Sequence, residues 1–289
     1  MSNAGNNGSN RILPRRQLLA NGTETDACSG NILKHHHAAL LAEYCAARGM
    51  ALCPACARQD GRRAAALVNE PRYKDRSLSA ILEECVLCDT HGFLVPAKNA
   101  PSDGTAEARQ KLSKHSLVEF SFALALPNYH AETTQFITRQ GDSKEAGQML
   151  MKVPARSGAY ALCVRYRAVG IGVDTDKWTA AVTDEAERKK RHQATLEALR
   201  DQLLSPLGAL TSTMLPHLTG LIGAVVVRST VGRAPLYSAL ADDFIERLVA
   251  IASPTCHVLS FDSIEQFSSL MERLIDTTVP CTPTPRPVV

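Results

Sequence analysis

The sequence predicts an α+β fold whose strands and helices assemble into a ferredoxin-like, or RRM-like, sheet. Three observations carry this. From residue 116 onward a strand-like texture is followed by helix, strand, helix, strand and helix, the order such sheets need. Two D-x-x-E capping signals, Asp184 with Glu187 and Asp262 with Glu265, mark helix starts. The tract 30–115 is rich in Ala, Arg, His and Cys and poor in strand formers, so it reads as an insertion.

The elements follow in order. Residues 1–10, MSNAGNNGSN, are polar and read as a flexible N-terminus. The segment ILKHHHAALLAEYCAARG reads as a helix with Leu33, Leu40, Leu41 and Tyr44 on one side, stopped by Gly49. Asn99 to Glu107 reads as a loop. SLVEFSFALAL alternates as a half-buried strand does. ETTQFITRQ and QMLMKVP flank GDSKEAG in a hairpin-like arrangement.

AYALCVRYRAVGIGV reads as the clearest strand. Tyr160, Leu162, Val164 and Tyr166 form one face, and Ala161, Cys163, Arg165 and Arg167 form a basic face suited to an anion or to solvent. Asp184 to Leu204 is expected to be a helix with Leu196, Leu199 and Leu203 as its apolar stripe, ended by Ser205-Pro206. A strand over Leu221 to Arg228, a helix over about Ser238 to Ala252, the strand CHVLSF and a helix from Asp262 complete the order. Residues 276–289 are a proline-rich tail.

Hydrophobic residues make up 45 % of the 289, enough for a substantial core. The run LTGLIGAVVV is too short to span a bilayer, and no secretory signal is read, so a cytoplasmic, reduced protein is expected. Net charge is only +3, below what a dedicated duplex-DNA binder carries, so nucleic acid is permitted and not required.

Four of the nine cysteines form two C-x-x-C knuckles, Cys53 with Cys56 and Cys85 with Cys88, separated by 28 residues. Two residues between thiolates let one turn present both sulfurs to one ion, and two such turns complete a tetrahedral site. A structural Zn2+ is therefore expected, in an insertion with little core of its own. A closed four-thiolate site has no open position for catalysis.

His35, His36 and His37 are consecutive, so on a helix their side chains splay by about 100° and cannot converge on one metal. No i, i+4 histidine pair of the metalloprotease kind is present. A Gly30-Asn31 turn followed by Lys34 and imidazoles suits phosphate contact and base stacking better, against the bland alternative of a polar helix edge.

The ordered string NGTETDACSGNILKHHH, CVLCDTHGFLV, ETTQFITRQ, QMLMKVPARSGAYA and GALTSTMLPHLTG resembles the DevR-type (Cas-seven family) backbone subunit of type I CRISPR Cascade complexes over roughly residues 20–275. The resemblance implies a palm of RRM type over 11–34 and 116–275, a fingers insertion over 35–115 and a β-hairpin thumb over 132–158. It implies a non-catalytic protein that binds CRISPR RNA and stacks with copies of itself and other Cascade subunits. Such a protein meets target DNA through the guide, with sequence reading left to base pairing.

By the same resemblance Asn31, Lys34, His35 and His37 lie in a palm loop on the RNA backbone. Arg139, Met149, Met151, Lys152 and Arg156 lie on the thumb, with a methionine wedged beside a displaced base. Ser212, Thr213 and His217 lie in a second RNA-facing loop, and Arg165 and Arg167 add the basic strand face. Two departures stand out. RILPRRQLLA is a short first strand broken by Pro14, and paired cysteines occur only in some branches of the family. Two further readings remain: a metal-dependent RNA-cleaving relative using Asp26, and a zinc-containing DNA-binding regulator.

Overall fold

The computed structural model describes residues 4–5, 13–73, 76–97, 111–127, 130–138, 149–208, 211 and 214–281. The short strands β1 (Ala4–Gly5) and β2 (Leu13–Pro14) pair with each other. Then come β3 (Arg16–Leu18), β4 (Glu24–Cys28), α1 (Gly30–Ala47), α2 (Pro54–Ala57), a 3-10 turn (Arg63–Ala66), α3 (Leu78–Glu84) and α4 (Val86–His91). The strands β5 (Phe93–Val95), β6 (Leu112–Lys114), β7 (Val118–Phe120) and β8 (Ala123–Ala125) follow. The hairpin β9 (His130–Thr138) and β10 (Met149–Ser157) precedes β11 (Tyr160–Ala161) and β12 (Val164–Tyr166). A second 3-10 turn (Ala168–Gly170), β13 (Val173–Asp174) and β14 (Thr179–Ala180) lead into α5 (Glu185–Leu204). The chain ends in β15 (Gly223–Arg228), α6 (Phe244–Ala250), β16 (Cys256–Phe261) and α7 (Ile264–Thr277).

The content is α+β, but the described strands do not form one ferredoxin-like sheet. They form a four-stranded sheet in the order β11-β8-β4-β3 and several antiparallel pairs: β12-β7, β15-β16, β5-β6, β13-β14 and β10-β9. The expected single strand over SLVEFSFALAL is two strands, because β7 pairs β12 while β8 pairs β4 and β11. AYALCVRYRAVGIGV divides likewise into β11, β12 and a 3-10 turn. The hairpin is present, with β9 and β10 in register from Ser157↔His130 to Met149↔Thr138. Its connecting GDSKEAG and the expected loop over Asn99–Glu107 lie outside the described residues.

Helix α1 begins at Gly30 with Ser29 in the extended N-cap position, so Gly30 and Asn31 form its first turn rather than a preceding one. Gly30 is required by close approach: a Cβ there would lie 2.3 Å from the Phe120 carbonyl oxygen. At the other end Gly49 takes φ +64. The Gly49 N–H donates to Ala46 O and the Met50 N–H to Cys45 O, a Schellman ending. The buried face is His37, Ala38, Leu41, Ala42 and Cys45; Leu33, Leu40 and Tyr44 sit at its margins.

Helix α5 is capped by Asp184, whose carboxylate accepts from the Ala186 N–H, while Glu187 pairs with Arg191 instead of reaching back. The cap of α7 falls one residue later than expected. Ser263 accepts from the Gln266 N–H, and the Gln266 amide oxygen accepts from the N–H of Asp262, one residue before the cap, so the two side chains close the helix start as a capping box does but one residue wider. The expected helix over Ser238 to Ala252 shortens to α6.

Among the described residues two apolar clusters form the core. The larger joins α1, the four knuckle cysteines, α3, α4 and β5 to Ala194 and Ala198 of α5. The smaller packs Phe267, Leu270, Met271, Leu274 and Ile275 of α7 on Leu196 and Phe261. The insertion is thus well supplied with core, contrary to its expected poverty, and α5 is the wall between the two clusters.

Candidate metal centre and nucleic-acid interface

The cysteines occupy equivalent places in two local motifs. Cys53 is the extended N-cap of α2, with Pro54 fixing the first helical position, and Cys85 is the extended N-cap of α4. Each helix then returns a second cysteine, Cys56 or Cys88, one turn on. The Cys88 N–H donates to Cys85 Sγ at 3.4 Å. All four sulfurs are buried and lie within 4.8 Å of one another. Cys56 Sγ is 3.7 Å and Cys53 Sγ 3.9 Å from Cys88 Sγ. Thiolates about 2.3 Å from a central ion stand about 3.8 Å apart in a tetrahedron, so the quartet has the dimensions of a metal site. Thiol hydrogen bonds from Cys56 and its neighbours draw Cys53 down, while those from Cys53 and the others push Cys88 up. A fifth thiol, Cys45, lies in the same cluster, and burial raises it to about 12, so it is a packed apolar group.

Helix α4 links this quartet to two polar networks. Asp89, next to Cys88, is fully buried and accepts from Lys114 Nζ, from Arg191 at 3.2 Å and from the Gly172 N–H at 2.8 Å. Lys114 also donates to Gly170 O and Val173 O. Arg191 donates to Leu82 O, Glu83 O and Glu187. These bonds tie α4 to α5, α3 and the chain leading into β13. Sequence reading missed all three charged residues, because each looks like an ordinary surface charge until its partners are in place.

His91, at the end of α4, meets His37 of α1: His91 Nε2 and His37 Nδ1 are 2.9 Å apart, and His37 Nε2 is 3.1 Å from Thr195 O. A carbonyl only accepts, so His37 carries its proton on Nε2 and His91 donates from Nε2. His37 is 0 % exposed, so it does not face RNA as expected; it is a core group holding α1 against α4 and α5. Burial lowers His37 to about 4 and His91 well below its usual value. His192, stacked on Tyr166 and bonded to its hydroxyl and to Thr278, is lowered by burial to about 4 as well.

The unfolded imidazole protonates near 6.5 and the folded one near 4. The unfolded chain therefore takes up protons the folded chain refuses. Stability is complete above about pH 6.5 and declines as pH falls toward about 4, by about 3 kcal/mol per fully buried imidazole. Urea unfolding at pH 7.5 and 5.0, comparing the parent with His37→Gln, is expected to show a smaller pH difference in the variant. An unchanged difference would remove His37 from this account.

Among the other expected contacts, Asn31 and His35 are exposed, and Lys34 and His36 are half-buried, all on the opening turns of α1. Lys34 is lowered by burial and by nearby Arg63. Arg165 is ion-paired with Glu119, which offsets half of the expected basic strand face; Arg167 is half-buried. His217 is exposed in an irregular segment. Met149, Met151, Lys152 and Arg156 lie in β10, opposite Thr138, Phe136, Gln135 and Ala131. Arg139, Ser212 and Thr213 lie outside the described residues. Asp26 sits in β4, fully buried, with Arg16 Nε 3.5 Å from its carboxylate.

No curated relative matches the sequence. Among solved structures, a chain of a "CRISPR RNA-guided surveillance complex, pre-nicking" is 12 % identical, with a TM-score of 0.45 over 91 % of this chain and 93 % of that one. The family model described as "CRISPR-associated negative auto-regulator DevR/Csa2" matches residues 2–248. A match of that extent takes in α1, both cysteine knuckles, the hairpin and α5, and the chain belongs to the DevR/Csa2 family of CRISPR-associated proteins.

Proposed function

We propose that the chain is a non-catalytic CRISPR-RNA-binding backbone subunit of a Cascade surveillance complex, and that the cysteine quartet holds a structural zinc ion. In this reading copies polymerise along the guide in the cytoplasm, beside other Cascade subunits, and support pairing of guide with target DNA. The observation that carries the reading is the family match over residues 2–248. Two features support it. The exposed Asn31 and His35, with Lys34 beside them, open a helix that has no acidic residue in its first turn. Backbone N–H groups and cations there suit phosphate. Among the described residues the hairpin β9-β10 pairs within itself and with no other strand, as a projecting thumb over residues 132–158 would. Residues 35–115 are assigned as fingers, though they share a core with α5.

Nuclease protection of a guide RNA by the purified chain is expected to give repeated short footprints. Asn31→Ala combined with Lys34→Glu is expected to weaken single-stranded RNA binding at least tenfold and to flatten its salt dependence. A chain that stays monomeric and never binds such RNA would sink the proposal. Asp26 is disfavoured as a catalytic ligand because its carboxylate is buried and faces Arg16. Target RNA with magnesium is accordingly expected to remain uncut. A footprint on duplex promoter DNA by the isolated chain would favour the regulator reading.

A further inference from the structure

A cleft of about 630 Å³ lies between β12 and β15, floored by residues of α5, α7 and β16. Its walls have an unusual feature. Residues 162–169 line it without a gap, and so do residues 221–237. Side chains of a strand alternate between faces, so a strand that contributes every consecutive residue is presenting its backbone edge.

The registers say which groups that edge offers. Arg167 N–H donates to Leu117 O and Ser121 N–H to Cys163 O, so the odd-numbered residues of β12 bond to β7. The backbone groups of Val164 and Tyr166 then point away from β7. Ser229 N–H donates to Thr255 O, so by the same alternation Ala224, Val226 and Arg228 point away from β16. Both pairs are two-stranded, so among the described residues these edges have no strand partner.

Two unpaired edges on one apolar cleft are a template for an added strand. The cleft floor is apolar, with Leu196, Leu203, Phe261 and Phe267. Its charged lining among the described residues is Arg165, Arg167, Arg228 and Arg233, with no Asp or Glu beside them. Of these, Arg165 is already paired with Glu119. The chain's own tail, which leaves from Cys281 at the cleft, is a poor occupant. Residues 282–289, TPTPRPVV, contain three prolines that cannot donate to a ladder and an arginine that meets like charge.

We infer that this cleft is a β-augmentation site for an extended segment of a partner protein, apolar at alternate positions and acidic at its ends. β15 is six residues long, which sets the segment at about 20 Å. Backbone hydrogen bonds to Val164, Tyr166, Ala224 and Val226 would hold it, and Arg167, Arg228 and Arg233 would receive its carboxylates.

The test uses the full chain and a fluorescein-labelled peptide alternating valine and threonine between terminal aspartates, read by fluorescence anisotropy. N-methylation of alternate peptide amides leaves the protein untouched and is expected to weaken binding at least tenfold. Val226→Pro, which removes an outward N–H and no bond to β16, is expected to do the same, with its melting temperature as the folding control. Arg228→Glu with Arg233→Glu is expected to reverse the preference toward a lysine-ended peptide. Failure of the peptide to bind, or equal binding of its N-methylated form, overturns the proposal. So does displacement of the peptide by an oligouridylate, which would make the cleft part of the RNA path. A tenfold gain in affinity on truncation after Cys281 would name the tail as occupant, and concentration-dependent self-association lost in Val226→Pro would name a second copy; either result also overturns it.

Discussion

Replacing Cys85 and Cys88 together with serine is expected to remove bound zinc from the chain and to unfold the larger apolar cluster. Both cysteines are fully buried, and their neighbours in the cluster include Leu41, Leu82 and Val86. The variant loses two of four ligands and places two hydroxyls in an apolar setting. Structural zinc contributes on the order of 10 kcal/mol of apparent binding energy in small domains, comparable to the whole stability of a typical protein. Metal analysis of the parent is expected to give zinc in proportion to protein, and the double variant to give none. Chelation of the parent should reproduce the loss of structure. Cys45→Ser, which changes a neighbouring thiol outside the quartet, is expected to keep the metal. Equal zinc in parent and double variant would remove the quartet from the proposal while leaving the RNA reading untouched.

Asp89→Asn is expected to give the largest loss of stability of any substitution outside the cysteines. The carboxylate faces two cations, Lys114 and Arg191, whose side chains are 0 % and 2 % exposed. Burial already lowers the Lys114 ammonium, and the Asp89 charge opposes that effect. Removing the charge leaves both cations in a low-dielectric interior, a change that costs about 3–5 kcal/mol when one member of a buried pair is lost. Thermal unfolding is expected to move down by roughly 10 °C in a chain of this size. A companion variant, Asp89→Leu with Lys114→Met, removes charge and countercharge together and is expected to recover part of the loss, since Arg191 keeps Glu187. If Asp89→Asn melts with the parent, the network is not holding α4 in place.

The sequence made some of this legible and concealed the rest for physical reasons. The knuckles could be read because metal ligands need fixed spacing whatever surrounds them, and the structure brings the four sulfurs together. The helix α1 and the stop at Gly49 were visible from local chemistry. The hairpin was visible from its flanking strand texture, and β16 falls on CHVLSF. The stripe of α5 is present where Leu196 and Leu203 pack in the smaller cluster, but its second buried face was not visible, because beside Ala194 and Ala198 it is polar: Arg188, Arg191, His192, Thr195 and Gln202 are buried as well. His37 was misplaced for the same reason. Its burial depends on His91 and Thr195, distant in sequence, and nothing local distinguishes it from the exposed His35. The division of the strands into separate pairs is likewise a matter of which distant strand each edge meets, and alternation within a segment does not specify that partner.

The position of α4 bears on how the chain is made. Arg191 fastens to Leu82 across 109 residues of sequence, and the core around the knuckles is completed by Ala194 and Ala198. At translation rates of about 5–20 residues per second, the knuckles wait roughly 5–20 s for that partner to emerge from the ribosome. On the zinc reading, the ion closes the loop between Cys53 and Cys88 during that interval, when α5 does not yet exist. Metal supply would then govern the yield of nascent chains that reach the folded state, and a cell short of zinc would lose this protein to proteolysis during synthesis rather than after assembly.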